Sequence, residues 1–370
     1  MLKFKSLIIV LGVVFMVSSA FAKDTIDIAA IYSMSGPAAE GNAASIRGVR
    51  YAVTEINEQG GVLGKRINLL LLDNRSTPLG SDAAAERIAK ADVTAIIGPQ
   101  WSSHAIAVAN VAQTAKIPMI SNTATNPKVT RIGNYIFRVC FTDDFQGSVM
   151  ARFARREINA ATAVLFTDTT SDYSLKLSEI FRDNFEQAGG KILFEAHYKH
   201  KYEEYDKQIQ QAKKADGDVL FIPGHTETGF IAKQVQDAEI SSVLLGGDGW
   251  GGPAFLSRGG EKLKHGYYCT HWSEHNNSKI SRMFVSKYKN TEYLSPRTAL
   301  GYDAMMLLSD AIRRAGTTDR AKIRDALADT RNFEGVTGTI SFDENGDPIK
   351  SAVIMEIKDG KPYYYKTIEP

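Results

Sequence analysis

Short β-branched runs alternate with amphipathic helical stretches from Thr25 onward, and the alternation runs through the chain twice. Residues 26–31 read as a strand, and Ile46, Val49, Val53 and Ile56 then recur at spacings of three and four, the period of a one-sided helix. Further strands are expected at 67–72, 94–97 and 118–120, separated by helical patterns around 81–90 and 103–114. Such a βαβ series implies a parallel sheet covered by helices on both faces. The rhythm restarts after residues 135–139, with strands near 163–166, 191–195, 219–222 and 243–245. Two series of about 120–130 residues each fit two similar α/β lobes better than one large sheet. After a run at 266–271 the pattern is helical from 278 to 329, then β at 338–342, 352–357 and 362–366. No low-complexity linker separates the series, so the pair is expected to move as a hinge.

The first 22 residues carry Lys3 and Lys5, an apolar run over 7–16 and the small-residue exit Ala20-Phe21-Ala22, the pattern of a secretory signal peptide cleaved after Ala22. The apolar run is half the roughly 20 residues a membrane span needs. No cysteine stands near the cleavage point to carry a lipid, so a soluble periplasmic protein is expected. Without the two signal lysines, basic and acidic residues balance. That balance argues against nucleic acid or an anionic membrane surface as partner, since both demand a basic face. Only Cys140 and Cys269 are present, which in an oxidising compartment permits one bond and does not require it.

Several motifs invite a chemical reading that their context weakens. Residues 247–252, Gly-Asp-Gly-Trp-Gly-Gly, satisfy G-x-G-x-x-G, yet Asp248 places a carboxylate where a pyrophosphate needs donors, and Pro253 follows at once. A flexible turn, or glycines that let the backbone crowd a ligand while Asp248 faces an ammonium, are the readings that remain. Cys269, His271 and His275, with Cys140 or His265, match no closed zinc spacing, and the alternation over 267–272 reads as a strand. His197 and His200 read as surface residues. No G-x-S-x-G, H-E-x-x-H or Walker A run is present, so neither a catalytic activity nor a cofactor is expected.

Open parallel sheets bind ligands at the carboxyl ends of their strands. Two consecutive strands end there in hydroxyl-rich loops: Gln100-Trp101-Ser102-Ser103-His104, leading into a helix, and Ser121-Asn122-Thr123-Ala124-Thr125-Asn126-Pro127. Hydroxyls and free N–H groups at a helix start suit a carboxylate, while helix capping or turn formation would use the same residue types.

The order of motifs along the chain resembles the type I periplasmic binding proteins of ABC transporters, above all the leucine/isoleucine/valine-binding group. The resemblance runs through residues 32–37 (Tyr-Ser-Met-Ser-Gly-Pro), 60–64 (Gly-Gly-Val-Leu-Gly), 98–103 (Gly-Pro-Gln-Trp-Ser-Ser), 137–141 (Phe-Arg-Val-Cys-Phe), 246–250 (Gly-Gly-Asp-Gly-Trp) and 335–340 (Gly-Val-Thr-Gly-Thr-Ile). It implies two Rossmann-like lobes with parallel sheets and a three-segment hinge near 139–144, 269–274 and 332–338. Lobe one would take 23–142 plus 274–334, and lobe two 143–273 plus 335–370. An amino acid's carboxylate would fall to Ser102 and Thr125, its ammonium to Asp248, the Thr123 carbonyl and the Thr125 hydroxyl, and Tyr173 would be the aromatic contact from lobe two. Trp101, Ser103, Ala124 and His225 are expected to line the site with them.

Two departures bear on the side chain. Gly41 stands where the family often has an aromatic residue, and Gly224-His225-Thr226-Glu227 where it commonly has tyrosine. From loop position, Trp101, His225 and Trp250 are expected to suit the pocket to an aromatic or polar ligand. The expected role is that of a monomeric receptor delivering a branched-chain or other apolar or aromatic amino acid to an inner-membrane ABC permease. The rivals are a sensor, or an uptake receptor for a small aromatic acid or amide. Cys140 and Cys269 both fall near crossovers, where a hinge disulfide or two buried thiols are the alternatives.

Overall fold

The computed structural model describes residues 24–199, 205–290 and 294–370. The signal segment and His200 lie outside these residues. In the first half β1 (Thr25–Tyr32), α1 (Ala39–Glu58), β2 (Arg66–Asp73), α2 (Pro78–Ala89), β3 (Ala95–Ile97), α3 (Ser102–Thr114), β4 (Met119–Ser121) and β5 (Ile136–Arg138) alternate as the periodicity predicts. The five strands form a parallel sheet ordered β2-β1-β3-β4-β5. The second half opens with α4 (Asp143–Arg156), β6 (Thr162–Asp168), α5 (Asp172–Gln187), β7 (Lys191–Tyr198) and α6 (Asp206–Ala215). It continues with β8 (Val219–Ile222), α7 (Thr228–Asp237), β9 (Val243–Gly246), α8 (Pro253–Ser257) and β10 (His265–Thr270). Then come α9 (Lys279–Tyr288), α10 (Pro296–Ala315), α11 (Arg320–Ala328), a small hairpin of β11 (Phe333–Gly335) and β12 (Gly338–Ile340), and the strands β13 (Ala352–Lys358) and β14 (Lys361–Ile368).

The second sheet is ordered β14-β13-β10-β9-β8-β6-β7, parallel except for β13 and β14, which add on antiparallel. Its central strands are buried without interruption, for example β8, because helices cover both faces. The first sheet has one core with α1 and α10, holding Ile28, Val49, Ile97, Leu300 and Leu308, and another with α2 and α3, holding Ala85, Ile96, Val108 and Met119. The second sheet repeats the plan, with Leu165, Leu177, Phe181 and Phe221 on one face and Phe166, Ile209, Leu220 and Ile231 on the other.

Helix starts are written locally. Thr142 and Ser171 accept from the backbone N–H groups of Phe145 and Ser174, and Ser295 with Thr298 forms a capping box in front of Pro296. Gly48 and Gly301 let α1 and α10 touch, since a Cβ at either would meet the facing helix backbone at 1.9 Å or 2.4 Å.

In each sheet the strand order reverses beside the first strand of its series, between β1 and β3 in one and between β6 and β8 in the other. Loops at such switch points leave a crevice at the carboxyl ends of the strands. Here the two crevices face one another. Asp143 N–H donates to the Thr125 carbonyl at 2.9 Å, Asn126 Nδ2 to the Asp172 carbonyl at 2.7 Å and Arg297 Nη2 to the Gly249 carbonyl at 2.9 Å.

Cys140 and Cys269 are free thiols, each fully buried in a different core. Of the two alternatives left by the sequence, the buried thiols are the ones seen, and burial pushes both thiols up from their ordinary range. The run 247–252 forms a single 3₁₀ turn over Asp248–Trp250, with α8 beginning only at Pro253, so no helix start stands where a pyrophosphate would lie. Among the described residues no three His, Cys, Asp or Glu side chains gather as a metal site. None of their helices is long and apolar enough to cross a membrane.

Candidate functional site

The hydroxyl-rich loops fold into one another. Ser102 is the first residue of α3, and no side chain caps that helix. Its first-turn N–H groups therefore stand at the positive end of the helix dipole without a capping side chain. Ser102 Oγ accepts from Asn126 N–H at 3.2 Å, Thr123 Oγ1 donates to the Gln100 carbonyl at 3.0 Å, and Ala124 N–H donates to Ser121 Oγ at 3.2 Å. Beneath them lies Arg138, a wholly buried guanidinium. It donates to the carbonyls of Ala124 and Asn126 at 2.7 and 2.9 Å and to Thr130 Oγ1 at 2.8 Å, and pairs with Asp347 at 2.6 Å. The Ala124 carbonyl is thereby occupied, so Ala124 shapes the loop from inside, while Ser103 stands half-buried on the helix.

Opposite, the second sheet supplies Tyr173 from the start of α5, His225 after β8, Asp248 after β9 and His271 one residue past β10. His271 Nε2 lies 3.2 Å from Asp248 Oδ2, and Gln146 Oε1 accepts from Asp248 N–H at 2.6 Å. Burial would raise the Asp248 carboxyl, but the His271 hydrogen bond, the nearby charge of Arg297 and the Tyr173 hydroxyl outweigh it and hold the group below its ordinary value. Burial pushes His271 the other way, toward the neutral ring. The pair therefore reads as a neutral imidazole donating from Nε2 to an ionised carboxylate. Asp248 Oδ1 and His271 Nδ1 are buried atoms left without a well-formed hydrogen bond. Burial, and then the charges of Asp248 and Asp143, raise the Tyr173 hydroxyl, which accepts from Gly249 N–H at 3.4 Å. Asp143, facing the Thr125 hydroxyl and repelled by Asp248, is held well above the carboxylate range, chiefly by burial.

Three rings bridge the crevices. The Trp101 indole lies face to face with the His225 imidazole, centroids 4.2 Å apart and planes 3° apart, and His225 stacks on Tyr173 at 4.9 Å. The structure thus brings together Trp101, Ser102, Thr123, Thr125, Tyr173, His225 and Asp248. It does not bring Trp250, which is buried against Phe255 at 4.5 Å in a second-sheet core and fills the space left by the missing side chain of Gly246. The expectation that Trp250 lines the pocket is therefore corrected: loop position does not say which way a ring turns. Sequence reasoning missed His271, Gln146, Asp143 and Arg297. His271 was legible, since it follows a central strand at the same end as the other site residues.

Residues 25–362 match the family described as periplasmic binding protein. The chain is 26% identical over 352 residues to a Leu/Ile/Val-binding protein homolog of Brucella melitensis, spanning 93% of this chain and 94% of that one. Among solved structures, a leucine binding protein of Thermotoga maritima is 36% identical, with 93% of this chain and 99% of that one covered and a TM-score of 0.89. A branched-chain amino acid transporter substrate binding protein of Streptococcus pneumoniae, in complex with isoleucine, is 30% identical over 94% of this chain and 100% of that one, with a TM-score of 0.87.

Proposed function

The chain belongs to the periplasmic binding protein family, and from that premise we propose that it captures an α-amino acid between two lobes and passes it to an ABC permease in the inner membrane. The supporting observation is Asp248, an ionised carboxylate nine-tenths buried between the two sheets, whose Oδ1 lacks a well-formed hydrogen bond. A buried charge of this kind is costly unless a cation meets it, and an α-ammonium supplies one. Across the crevice, Ser102, Thr125 and the uncapped start of α3 suit the α-carboxylate. The side chain is a branched-chain one, as in the names of the relatives, or another apolar or aromatic one, with Trp101, His225 and Tyr173 beside it. Lobe one comprises 23–142 plus 274–334 and lobe two 143–273 plus 335–370, so a ligand touching both favours the closed arrangement. The protein acts by binding alone, as a periplasmic monomer released from its signal peptide.

Calorimetric titration with leucine and with 4-methylpentanoate, which lacks only the ammonium, tests this reading. Leucine is expected to bind and the acid to bind at least a hundredfold more weakly. Equal affinity would remove the ammonium from the site and favour uptake of a simple carboxylic acid.

A further inference from the structure

Arg297 is poorly placed for its own helix. It is the second residue of α10, directly after Pro296, so its guanidinium stands at the positive end of the helix dipole, and the first turn holds no acidic residue to offset it. The side chain is also buried. What it reaches lies across the crevice, in the loop that follows β9. Nη2 donates to the Gly249 carbonyl at 2.9 Å. Gly252 forms the rest of the seat: its backbone is extended (φ 172°), which any residue adopts, yet a Cβ there would lie 2.4 Å from Arg297 Nη1. The guanidinium, and not the turn, calls for this glycine.

α10 packs on the first sheet, whereas Gly249 follows Asp248 at the end of a second-sheet strand. One side chain thus ties the first-sheet body to the loop that presents Asp248, at the very next residue. The same segment is touched again at its far end, where Arg258 Nη2 lies 3.7 Å from Glu40 Oε2 and Ser257 Oγ donates to Glu40 Oε1 at 3.2 Å. Glu40 is half exposed, and exposed pairs of this kind contribute little. The buried tie is the stronger one, since a hydrogen bond from an ionised donor is roughly twice as strong as a neutral one.

We propose that Arg297 is a positioning residue for the ligand site: by holding the Gly249 carbonyl from the first-sheet side it fixes the Asp248 loop over the bound amino acid and sets how slowly that ligand leaves. This rests on the zwitterion reading of Asp248 and adds a residue that acts on the loop and not on the ligand. The contact joins the two bodies, so it is made only when they close. It therefore opposes departure and leaves arrival as it was. The guanidinium charge also helps to keep Asp248 ionised.

Stopped-flow binding and release by the full mature chain tests this, with the tightest binder among L-leucine, L-isoleucine, L-valine and L-phenylalanine as probe. In Arg297→Met release should be at least about tenfold faster, the lower end for a hydrogen bond from a charged donor. Association should stay within about twofold and the ligand-free melting temperature should hold. Arg297→Lys, which keeps the charge and a donor, should recover part of the loss. Gly252→Ala pushes the guanidinium off its seat and should also speed release, yet add little in the Arg297→Met background, as expected of two residues in one contact. Glu40→Gln should change release by less than about twofold. Unchanged release in Arg297→Met, or Arg297→Met and Gly252→Ala effects that simply add, overturns the proposal and leaves the zwitterion reading standing. Where Arg297→Met lowers the ligand-free melting temperature, Gly252→Ala decides, and release at the wild-type rate from it overturns the proposal. If none of the four amino acids binds the wild type, the zwitterion reading itself fails and this inference falls with it.

Discussion

The two walls of the crevice meet their buried polarity to different degrees. On the first-sheet wall the Thr123 hydroxyl, the Ser102 oxygen and the Ala124 carbonyl have partners within the protein and Arg138 braces the loop from behind, although the Thr125 hydroxyl lacks a well-formed hydrogen bond. On the second-sheet wall Asp248 Oδ1 and His271 Nδ1 are buried without well-formed hydrogen bonds. A satisfied wall holds its shape whether or not a ligand is there, whereas an unsatisfied one gains most when a ligand arrives. On the proposed zwitterion reading the difference implies an order, in which the carboxylate docks first on the braced loop and the wall carrying Asp248 closes onto the ammonium. Closure is then driven by differential contacts, as any ligand-induced shift must be.

The most damaging way to erase the contrast is to loosen the braced wall. Arg138→Met removes four polar contacts and strands Asp347 beside two carbonyls. Breaking a buried ion pair from one side costs about 3–5 kcal/mol, so denaturant unfolding should show a loss of that size, and amino-acid affinity should fall with it. An unchanged midpoint would show that the loop does not depend on its brace. Asp248→Asn attacks the other wall and should separate binding from stability. Affinity for an amino acid should drop by about 3 kcal/mol, more than a hundredfold, while the unfolding midpoint holds or rises because a buried charge has gone. A parallel loss of stability would mean that Asp248 serves the fold more than the ligand.

The parts of this arrangement that repeat were legible in the sequence, and those that depend on distant partners were not. Strand and helix alternation gave both sheets, because apolar periodicity is imposed by the layers themselves. The rule that ligands gather at carboxyl strand ends found the loops of Ser102 and Thr125, whereas Tyr173 came from the family resemblance and Asp248 from its glycine-rich run together with that resemblance. The rule stopped short of His271, whose place within an alternating run made it look like an ordinary strand residue. Arg138 stood in a quoted motif, but its pairing with Asp347 joins residues far apart in sequence, which no local pattern encodes. Trp250 went wrong for a related reason: whether a ring faces the ligand or the core depends on Gly246 and Phe255, neither of which loop position reveals. The small β11–β12 hairpin was half seen, as a run starting at Gly338, because its first strand is only three residues long.

Smaller effects sharpen the contrast. Ser102→Ala removes a hydroxyl at the start of α3 and should cost about 2 kcal/mol, or roughly thirtyfold in affinity, the value of a hydrogen bond to a charged group. The effect should be uniform across amino acids, because their carboxylates are identical; a loss confined to some side chains would place Ser102 elsewhere. Acid acts on the opposite wall. Burial lowers His271 below the ordinary imidazole value despite Asp248, with Arg297 and Lys350 also disfavouring its charge. An ammonium at Asp248 would disfavour the imidazolium further, so the bound protein holds fewer protons and affinity rises with pH. Affinity should therefore weaken as pH falls through the depressed His271 value, by at most about 1.4 kcal/mol per pH unit for one proton. Stability follows the same sign: the neutral ring's contribution is complete above the unfolded value and is lost as pH falls. In His271→Gln the affinity profile should flatten over that window, and an unaltered slope would locate the titration in another group.

The weakest expected effect lies where the two walls meet. Trp101 belongs to one and His225 to the other, so their stack is made only when the crevice is shut. An aromatic pair of this geometry is worth about 0.5–1.5 kcal/mol beyond its buried area. Trp101→Leu keeps an apolar side chain but ends the stacking, and should weaken every ligand by about threefold to tenfold through faster dissociation. Stopped-flow release of a bound amino acid measures this directly. If the stack instead forms part of the docking surface of the braced wall, association will slow and dissociation stay as it was. That result would move Trp101 from the closing contacts to the first encounter and reverse the order inferred from the two walls.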